Sequence, residues 1–486
     1  MMSKMWFCVF VCLFGCASAA KVIIIGAGAS GIATASRLLE QNITDFIILE
    51  AENRIGGRIH SFYLSDGFVD LGAQFVHGER GNIAYTLAKD YVVHNPEMNE
   101  VAVYFEGTKK TGENLQSIGK QLYYEVSEHA PYENLSIGDV YLSRYNTTVL
   151  TKYKDDPEMT SYANFLLKNL EAAVLALEGA FDWFKVSAQS SFHEADGDQT
   201  LSWNGLGYKT ILDILLKNFP NQTGYNINDK IFLGKSVNKI ALKETSVEVT
   251  CKDGSVYTSD HVVFTPSLGV LKNRHKDIFQ PELSPEKVNA IENLGFDGIM
   301  KIILEFPQAW WKKERNFLFV WNDKDIEDLK RDIPFGPKTD DDHWLSWFGY
   351  FGIAPNNPHV MIGWYSGPFV EEVEKLSEDQ IGKAVFYTLQ KHLGRDYNVT
   401  KPRTVIHSKW RTNPNFRGTY SYETVQLRMK NITSAHEKLS EPVEGGDGKQ
   451  RILFAGEATH PSRFSTVDGA IGSGFREGDR LVNMLK

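Results

Sequence analysis

The stretch KVIIIGAGASGIATASRLLEQNITDFIILEAENRIGGR, residues 21–58, decides the fold. Residues 22–25 form an apolar run that is typical of a fully buried strand, and residues 46–49 form a second one. Residues 32–40 between them have the composition of a helix. The order strand, glycine-rich turn, helix, strand predicts a βαβ unit and therefore an α/β fold with a parallel sheet.

The turn after the first strand has the pattern GxGxxG. Gly26 permits a tight turn, Gly28 lets the backbone approach a pyrophosphate, and Gly31 allows the helix to pack closely on the strand. A helix N-terminus near Ala29 favours bound anions, and Glu50 can accept hydrogen bonds from ribose hydroxyls. The alternative is a tight turn without a nucleotide. The unit alone leaves NAD and FAD both open.

Three further segments bear on the nucleotide. RIGGR, residues 54–58, gives a second backbone approach site, and Arg58 can meet a phosphate. DLGAQFVHG, residues 70–78, adds glycines among polar and aromatic residues. Residues 452–455 predict a late strand and residues 467–481 a helix, whose N-terminus would stabilise an anionic reduced flavin.

Composition limits the classes of partner. The chain has 486 residues, 42% of them hydrophobic, which favours two or three domains. A net charge of −9 argues against nucleic acid and against an anionic membrane surface, and it is compatible with a small cationic substrate. We find no spacing typical of metal ligands.

The N-terminus has the pattern of a cleaved secretory signal, residues 1–20. Cleavage would follow Ala19 or Ala20, and the alternative is an uncleaved anchor. Of four cysteines, only Cys251 lies beyond this segment, so we expect no intramolecular disulfide. Six glycosylation sequons agree with secretion, at Asn42, Asn134, Asn146, Asn221, Asn398 and Asn431.

One charge interrupts an apolar strand. GFDGIMKIILEF, residues 295–306, predicts a buried strand, yet Lys301 lies among isoleucines. An unpaired buried charge is costly. The simplest explanation is an edge strand from which Lys301 reaches water along its aliphatic stem.

The chain resembles the flavin-containing amine oxidases, most closely the polyamine oxidases, from about residue 21 to residue 486. The resemblance lies in seven motifs, in this order: IIIGAGASGI, LEAENRIGGRI, LGAQFVHG, FTPSLGVLK, IMKIILEF, FRGTYSY and FAGEATHPSRFSTVDGAIGSG. Residues 100–229 carry little of it.

The resemblance implies a Rossmann-like FAD-binding domain interleaved with an α+β substrate-binding domain. The first would comprise residues 21–95, 225–280 and 445–486. The second would comprise residues 96–224 and 281–444. Within it we expect a helix over residues 157–184, strands around residues 344–365 and an exposed loop over residues 322–342.

The resemblance also assigns residues to the cofactor. Lys301 would hold a water beside flavin N5, and Val237 would present its backbone to the adenine. The cofactor-binding residues are predicted to be Gly26, Gly28, Ala29, Gly31, Glu50, Arg58, Gly72, Ala73, Gln74, Val237, Trp410, Glu457, Thr466 and Val467. Trp410 could instead be an ordinary core residue.

The resemblance implies the catalytic residues in the same way, and they are Lys301, His77, Tyr420 and Thr466. Tyr420 matches one wall of an aromatic cage over the flavin, whereas Thr466 replaces the second cage tyrosine of monoamine oxidases. Thr419 replaces their flavin-attaching cysteine, which predicts non-covalent FAD. His77 would contact a substrate amine, although a lone histidine is more often structural. Carboxylates that could bind a long cation are Glu178, Asp182 and Glu194, and each could instead be a surface acid.

Together these features predict a secreted FAD-dependent polyamine oxidase with no membrane anchor. It would use oxygen to convert a secondary amine of spermine, spermidine or an acetylated derivative into an aldehyde, a shorter amine and hydrogen peroxide. One rival is an L-amino-acid oxidase, with Arg411 or Arg417 binding the substrate carboxylate. A second is a histone demethylase, which the absence of a tower insertion disfavours. A third is an inactive flavoprotein that acts as a binder.

Overall fold

The computed structural model describes residues 18–64, 66–95, 100–111, 114–128, 134–221, 224–311 and 314–486. Most of the predicted signal, residues 1–17, therefore lies outside the described residues. The described chain is a mixed α/β protein, as the sequence predicts. Its α-helices are α1 Ala29–Glu40, α2 Ile83–Ala88, α3 Leu115–Glu128, α4 Ile137–Tyr145, α5 Pro157–Glu178, α6 Thr210–Leu215, α7 Leu268–Ile278, α8 Pro285–Asn293, α9 Asp323–Asp332, α10 Val370–Val373, α11 Glu378–Leu393, α12 Val425–Met429, α13 Ala435–Ser440 and α14 Val467–Leu485.

The strands of the described residues form two large sheets and three small ones. They are β1 Ser18–Ile25, β2 Phe46–Leu49, β3 Ser61–Leu64, β4 Gly67–Asp70, β5 Phe75–Val76, β6 Val92–Val93, β7 Ala102–Phe105, β8 Thr108–Lys109, β9 Leu201–Trp203, β10 Ile231–Phe232, β11 Val237–Leu242, β12 Val247–Cys251, β13 Val256–Phe264, β14 Phe279–Gln280, β15 Gly295–Phe296, β16 Met300–Glu305, β17 Asn316–Val320, β18 Phe348–Ile353, β19 Val360–Tyr365, β20 Thr404–His407, β21 Ser421–Tyr422, β22 Val443–Glu444 and β23 Gln450–Phe454.

The larger sheet is built around the predicted βαβ unit. In its centre β10, β2, β1, β13 and β23 lie side by side and parallel, so β1 and β2 are neighbouring strands joined by α1. The apolar residues of β1 are buried on both faces, which explains why the run does not alternate. Helix α1 starts at Ala29, three residues before the predicted start, because Gly28 is already an extended N-cap. Helix α14 packs along α1.

The second sheet has seven strands in the order β20, β16, β19, β18, β17, β7, β8. Strand β16 carries Lys301 and pairs with a strand on each side, β19 and β20. It is therefore not an edge strand, and Lys301 is only 3% exposed. The interpretation in which Lys301 reaches water from an edge is wrong.

Two local predictions in the middle of the chain need correction. The residues that we expected to form an exposed loop contain helix α9, whose N-cap Asn322 exchanges hydrogen bonds with Asp325 in a capping box. Ile326 and Leu329 anchor this helix in the core. The helix expected over residues 157–184 ends at Glu178, because Gly179 adopts a left-handed conformation with φ +68°.

The two large sheets use segments that alternate along the chain. The first draws on residues 18–49, 231–280 and 443–454, and the second on residues 102–109 and 300–407. The domain boundaries that the resemblance implies stay a prediction. No helix of the described residues combines the length and the apolar character that crossing a membrane requires.

Candidate active site

One cavity of about 1480 Å³ extends from the glycine turn after β1 to the side chain of Lys301. This volume exceeds the range of roughly 300–1,000 Å³ that is typical of ligand pockets. Residues of both large sheets line it, together with α3, α5 and the N-terminus of α14. The cavity therefore has room for an extended cofactor and a second small molecule.

The glycine turn forms one end of this cavity. A Cβ on Gly31 would lie 2.0 Å from the carbonyl oxygen of Gly26, so only glycine lets α1 approach β1 this closely. Gly28 faces the backbone of Gly56 and Gly57, and a Cβ added to Gly28 would meet no atom closer than 3.9 Å. Helix α1 has no side-chain cap, and its first N–H groups near Ala29 border the cavity. This end can bind an anion such as a diphosphate.

Glu50 closes the turn from the end of β2. Its carboxylate accepts hydrogen bonds from the N–H of Ala27 at 2.7 Å and the N–H of Glu52 at 2.8 Å. Burial raises the pKa of Glu50, although these two hydrogen bonds oppose the shift. Glu50 and Val237 both line the cavity. Both are in positions from which they can contact a nucleotide.

Arg58 and Glu457 form a largely buried ion pair at 2.9 Å. Glu457 also accepts hydrogen bonds from the hydroxyl of Ser421 at 2.7 Å and the N–H of Ser465 at 2.8 Å. Burial favours a higher pKa for Glu457, but Arg58 and these hydrogen bonds hold the pKa below its ordinary value. The pair joins the segment of residues 54–58 to the segment that precedes α14.

Thr466 and Val467 begin α14 at the cavity wall. The hydroxyl of Thr466 caps the helix by accepting the N–H of Gly469 at 3.1 Å and donates to the carbonyl of Arg463 at 2.7 Å. Its only hydroxyl hydrogen and one of its two acceptor sites thus orient the helix N-terminus. These hydrogen bonds support a role for Thr466 in positioning the N-terminus of α14.

Lys301 lies on the opposite side of the cavity. Its ammonium donates to the carbonyls of Asp70 at 3.1 Å and Gly72 at 2.7 Å and to Oε1 of Gln74 at 2.8 Å. Its Nζ also lies 4.3 Å from the ring centroid of Trp364. Burial lowers the pKa of Lys301, and the nearby Asp70 carboxylate opposes that shift. The charge on this strand is therefore fully partnered by the chain.

The segment from Asp70 to Gln74 is packed tightly at this point. A Cβ on Gly72 would lie 1.8 Å from the carbonyl oxygen of Arg58, and Ala73 donates its N–H to the same oxygen at 3.2 Å. Trp410 donates from Nε1 to the carbonyl of Leu71 at 3.3 Å and lines the cavity. Trp410 thus belongs to the site and not only to the core.

His77 faces the cavity farther along the same segment. Its Nδ1 donates to the carbonyl of Gln199 at 2.7 Å, because a carbonyl can only accept. The ring is open to the cavity but lies deep within the protein, and this burial lowers the pKa of His77. The ring is therefore neutral at pH 7, and its Nε2 is an acceptor that can receive a hydrogen bond from an amine.

Tyr420 lines the cavity next to the C-terminus of α5. Its hydroxyl donates to the carbonyl of Ala176, and its ring covers Gly179. The neighbouring Thr419 hydroxyl accepts the N–H of Ile299 at 3.3 Å. The only cysteine of the described residues, Cys251, does not line the cavity.

The three candidate carboxylates separate in the structure. Glu178 and Glu194 line the cavity, and Tyr123 donates to Glu178 at 2.6 Å. Burial raises the pKa of Glu178 to about 7. Asp182 does not line the cavity. The left-handed turn at Gly179 leads the chain away from the cavity before Asp182. The Asp182 carboxylate accepts the N–H of Phe184 at 2.9 Å. The predicted substrate role therefore does not fit Asp182.

Sequence reasoning missed several residues of the site. Tyr123, Trp364 and Asp196 all line the cavity, and Asp70 lies buried behind Lys301. Tyr123 and Asp196 come from the part of the chain without recognisable motifs. Asp70 begins the segment DLGAQFVHG, but nothing in the sequence placed it beside a lysine 231 residues away.

Comparison with known proteins agrees with this arrangement. The sequence profile of the family described as flavin containing amine oxidoreductase matches residues 29–482. The chain belongs to this family. This flavin amine oxidoreductase is similar to the peroxisomal N(1)-acetyl-spermine/spermidine oxidases of Bos taurus and Homo sapiens, at 27% and 28% identity. In both comparisons 96% of this chain and 95% of the relative are covered. It is also 27% identical to probable polyamine oxidase 5 of Arabidopsis thaliana, over 97% of this chain and 99% of that protein.

The enzyme is therefore an FAD-dependent amine oxidoreductase. The residues that line the cavity fit this cofactor. Gly28 borders the cavity without a side chain, and the uncapped N-terminus of α1 supplies N–H donors for the diphosphate. Glu50 is the acceptor available to a ribose, and Trp410 offers an aromatic surface to the ring system.

Proposed function

We propose that this enzyme is a polyamine oxidase that acts on a secondary amine of spermine, spermidine or an acetylated derivative. The observation that carries the proposal is the pair Glu178 and Glu194 in the same cavity as Lys301 and His77. A flexible polycation needs carboxylates at a distance from the carbon that reacts. The names of the relatives, which refer to spermine, spermidine and polyamines, support the same class.

The cavity gives each residue a chemical task. Glu178 and Glu194 attract the ammonium groups of the substrate, and the neutral ring of His77 accepts a hydrogen bond from an amine N–H. Tyr420 and Trp364 give the alkyl chain apolar surface and exclude water. The chemistry that FAD supplies when bound is acceptance of a hydride from the carbon next to nitrogen and its delivery to oxygen. The balanced reaction converts amine, oxygen and water into an aldehyde, a shorter amine and hydrogen peroxide.

The rival L-amino-acid oxidase receives less support. It needs a cavity arginine for the substrate carboxylate. Neither Arg411 nor Arg417 lines the cavity, and Arg411 is paired with Glu371 at 3.1 Å. Two other arginines of the described residues line the cavity. Arg58 is paired with Glu457, and Arg274 lies on α7, which packs against β11, the strand that begins at Val237 on the nucleotide side.

The experiment that tests the function is a peroxide assay with a panel of spermine, spermidine, their N-acetyl derivatives, benzylamine and L-leucine. We expect peroxide with at least one polyamine, and mass analysis of the products identifies the carbon that is oxidised. Activity with L-leucine alone would replace the proposal with the rival. If the FAD-loaded protein shows no activity with any amine, the third rival, an inactive flavoprotein that acts as a binder, would replace the proposal.

The dependence of polyamine binding on pH tests the role of Glu178. Its pKa of about 7 means that the carboxyl is neutral at pH 6 and charged at pH 8. A charged hydrogen bond is worth about 1.5–3 kcal/mol, or roughly tenfold to a hundredfold in affinity. The ratio of KM in Glu178→Gln to KM in the wild type should therefore rise from near one below pH 6 to about tenfold above pH 8.

The ratio cancels the protonation of the substrate itself, which affects both enzymes equally. Asp182→Asn is the matched control, because Asp182 lies outside the cavity and its ratio should stay constant. A constant ratio for Glu178→Gln as well would remove Glu178 from the binding site.

We further propose that the FAD is held without a covalent bond. Thr419 stands where related enzymes carry the attaching cysteine, and Cys251 lies away from the cavity. Acid precipitation should therefore release the yellow cofactor into the supernatant. The absorbance spectrum of the supernatant should then match that of free FAD. Colour that stays in the pellet after washing would contradict the proposal.

Secretion is part of the same proposal. The asparagines of all six sequons are exposed, as attachment of a glycan requires, and they are Asn42, Asn134, Asn146, Asn221, Asn398 and Asn431. The pattern of residues 1–20 is the other support.

A further inference from the structure

A buried ion pair joins Arg463 to Asp468 beside the cavity. Its hydrogen bonds run from Nε of Arg463 to Oδ2 of Asp468 at 2.9 Å and from Nη2 to Oδ1 at 3.2 Å. The two residues are 8% and 5% exposed, and neither of them lines the cavity. Because taking two charges out of water is costly, stability alone is a weak explanation for this pair.

On one side Arg463 is tied to the first turn of α14. Its carbonyl accepts the hydroxyl hydrogen of Thr466 at 2.7 Å, and a Cβ on Gly469 would lie 1.9 Å from the same oxygen. Asp468 belongs to this turn as well. The guanidinium of Arg463 is therefore fixed relative to the helix N-terminus that borders the cavity.

On the other side the guanidinium reaches the loop that carries Glu194. Its Nη1 donates to the carbonyl of His193, and His193 in turn donates its N–H to the carbonyl of Ser462 at 2.9 Å. The guanidinium carbon also lies 5.1 Å from the ring centroid of Phe192. Both backbone polar groups of His193 are thus bound to the segment that precedes α14.

The same guanidinium contacts a third part of the cavity wall. Its Nη2 donates to the carbonyl of His77 at 3.3 Å. Arginine suits such a junction, because its planar fork carries five N–H donors in fixed directions. Arg463 therefore joins the N-terminus of α14, the loop of Glu194 and the segment of His77.

The position of Glu194 depends on the contact between Arg463 and His193. Glu194 follows His193 directly in the chain and lines the cavity. An earlier anchor of the loop lies farther away, at Ser191, which donates its N–H and its hydroxyl to the Glu423 carboxylate at 2.8 and 3.0 Å. On this side of Glu194 the nearest anchor is thus His193.

We propose that Arg463 is a positioning residue that holds Glu194 in place relative to the N-terminus of α14, and that it thereby sets where a polycation lies against the cofactor. A charged hydrogen bond needs a short distance and good alignment, so a carboxylate on a loosened loop loses affinity. The inference rests on the proposed function, because it takes Glu194 as a residue that binds an ammonium group of the substrate.

The test measures the dissociation constant of dodecamethylenediamine by calorimetry with the FAD-loaded enzyme. This dication has about the length of spermine, and it lacks the secondary amine that the proposed reaction consumes. The double variant Arg463→Met/Asp468→Asn leaves no unpaired buried charge, and it removes two opposite influences on the pKa of His77 together. We expect its affinity for the diamine to fall roughly tenfold, as for the loss of one charged hydrogen bond, while its FAD content stays that of the wild type.

A second comparison identifies the residue through which Arg463 acts. Glu194→Gln alone should weaken diamine binding by a similar factor, because it removes the charge that the loop presents. Combining Glu194→Gln with the double variant should then cause no further loss, since contacts that act as one unit are not additive.

Arg451→Met/Asp447→Asn is the matched control. Arg451 is also buried, and it is paired with Asp447 at 2.6 Å and donates to the carbonyl of Asp260 at 3.0 Å, away from the cavity. This variant reports the general effect of removing a buried ion pair, and its affinity for the diamine should equal that of the wild type.

Four results would overturn the inference. They are wild-type affinity in the double variant, an equal loss in the control, losses that add in the Glu194→Gln background, and no diamine binding by the wild type even if polyamines are oxidised. Diamine binding without oxidation of any polyamine would instead refute the proposed function and leave the inference standing.

Arg463→Lys replaces the double variant if the latter does not retain FAD. Lysine keeps a charge beside Asp468 but lacks the fork that also reaches His193. Weaker diamine binding in Arg463→Lys would support the inference, and unchanged binding would decide against it.

Discussion

Replacing Gly31 with alanine is expected to abolish FAD retention. Alanine in a helix interior is normally better than glycine by about 1 kcal/mol. Here the added Cβ would lie 2.0 Å from the carbonyl oxygen of Gly26, which is backbone and cannot turn aside. Overpacking typically costs ~1–3 kcal/mol and sometimes more, so the clash outweighs the gain in helix propensity. Helix α1 must then move away from β1, which opens the diphosphate end of the cavity.

The measurement is the ratio of flavin to protein absorbance after purification, followed by titration of the apoprotein with FAD. A loss of about 3 kcal/mol corresponds to more than a hundredfold in the dissociation constant. Gly446→Ala is the control, because the nearest atom to its added Cβ is 3.7 Å away and the residue does not line the cavity. Equal FAD content in the two variants would show that the close approach at Gly31 is not needed for binding.

Glu50→Ala has the second largest expected effect. Its carboxylate accepts hydrogen bonds from the N–H groups of Ala27 and Glu52, and we expect it to bind the ribose as well, because it lines the cavity. A charged hydrogen bond is worth on the order of 1.5–3 kcal/mol, so the affinity for FAD should fall by roughly tenfold to a hundredfold. Glu50→Gln keeps one acceptor oxygen and should lose less.

Thermal unfolding of the apoprotein separates the two tasks. If Glu50 only holds the turn, the alanine variant unfolds at a lower temperature while the affinity of the folded fraction for FAD is unchanged. If it also binds the ribose, the dissociation constant rises beyond what the loss of stability explains. Unchanged FAD dissociation would take Glu50 out of the ribose site.

How far sequence reasoning reaches differs between the two sides of the cavity. The nucleotide side is built from neighbours in the chain, and there the GxGxxG turn, both strands and Glu50 could be predicted within a few residues. The substrate side depends on residues brought together from α3, α5 and the loop before β9. Glu178 and Asp182 look alike in sequence, yet one left-handed glycine between them leaves only Glu178 in the cavity.

Local sequence patterns gave a wrong prediction around α9 and an incomplete explanation of Lys301. The charged stretch around α9 resembles a solvent-exposed loop, but a capping box and two buried apolar residues are enough to make it a helix. Lys301 was singled out correctly as anomalous. Its explanation required the acceptors of Asp70, Gly72 and Gln74, about 230 residues earlier in the chain.

The sequence by itself determined that this protein has a βαβ unit with a nucleotide-type turn, because short-range glycine spacing and apolar runs define such a unit. Its resemblance to the flavin amine oxidases lies in seven motifs along the chain. Only the tertiary structure decided which charged residues line the cavity and which acceptors surround Lys301. The reason is that hydrogen bonds in a buried site are limited in number and are filled by whichever groups the fold brings into range. The acceptors of Asp70, Gly72 and Gln74 around the Lys301 side chain illustrate this.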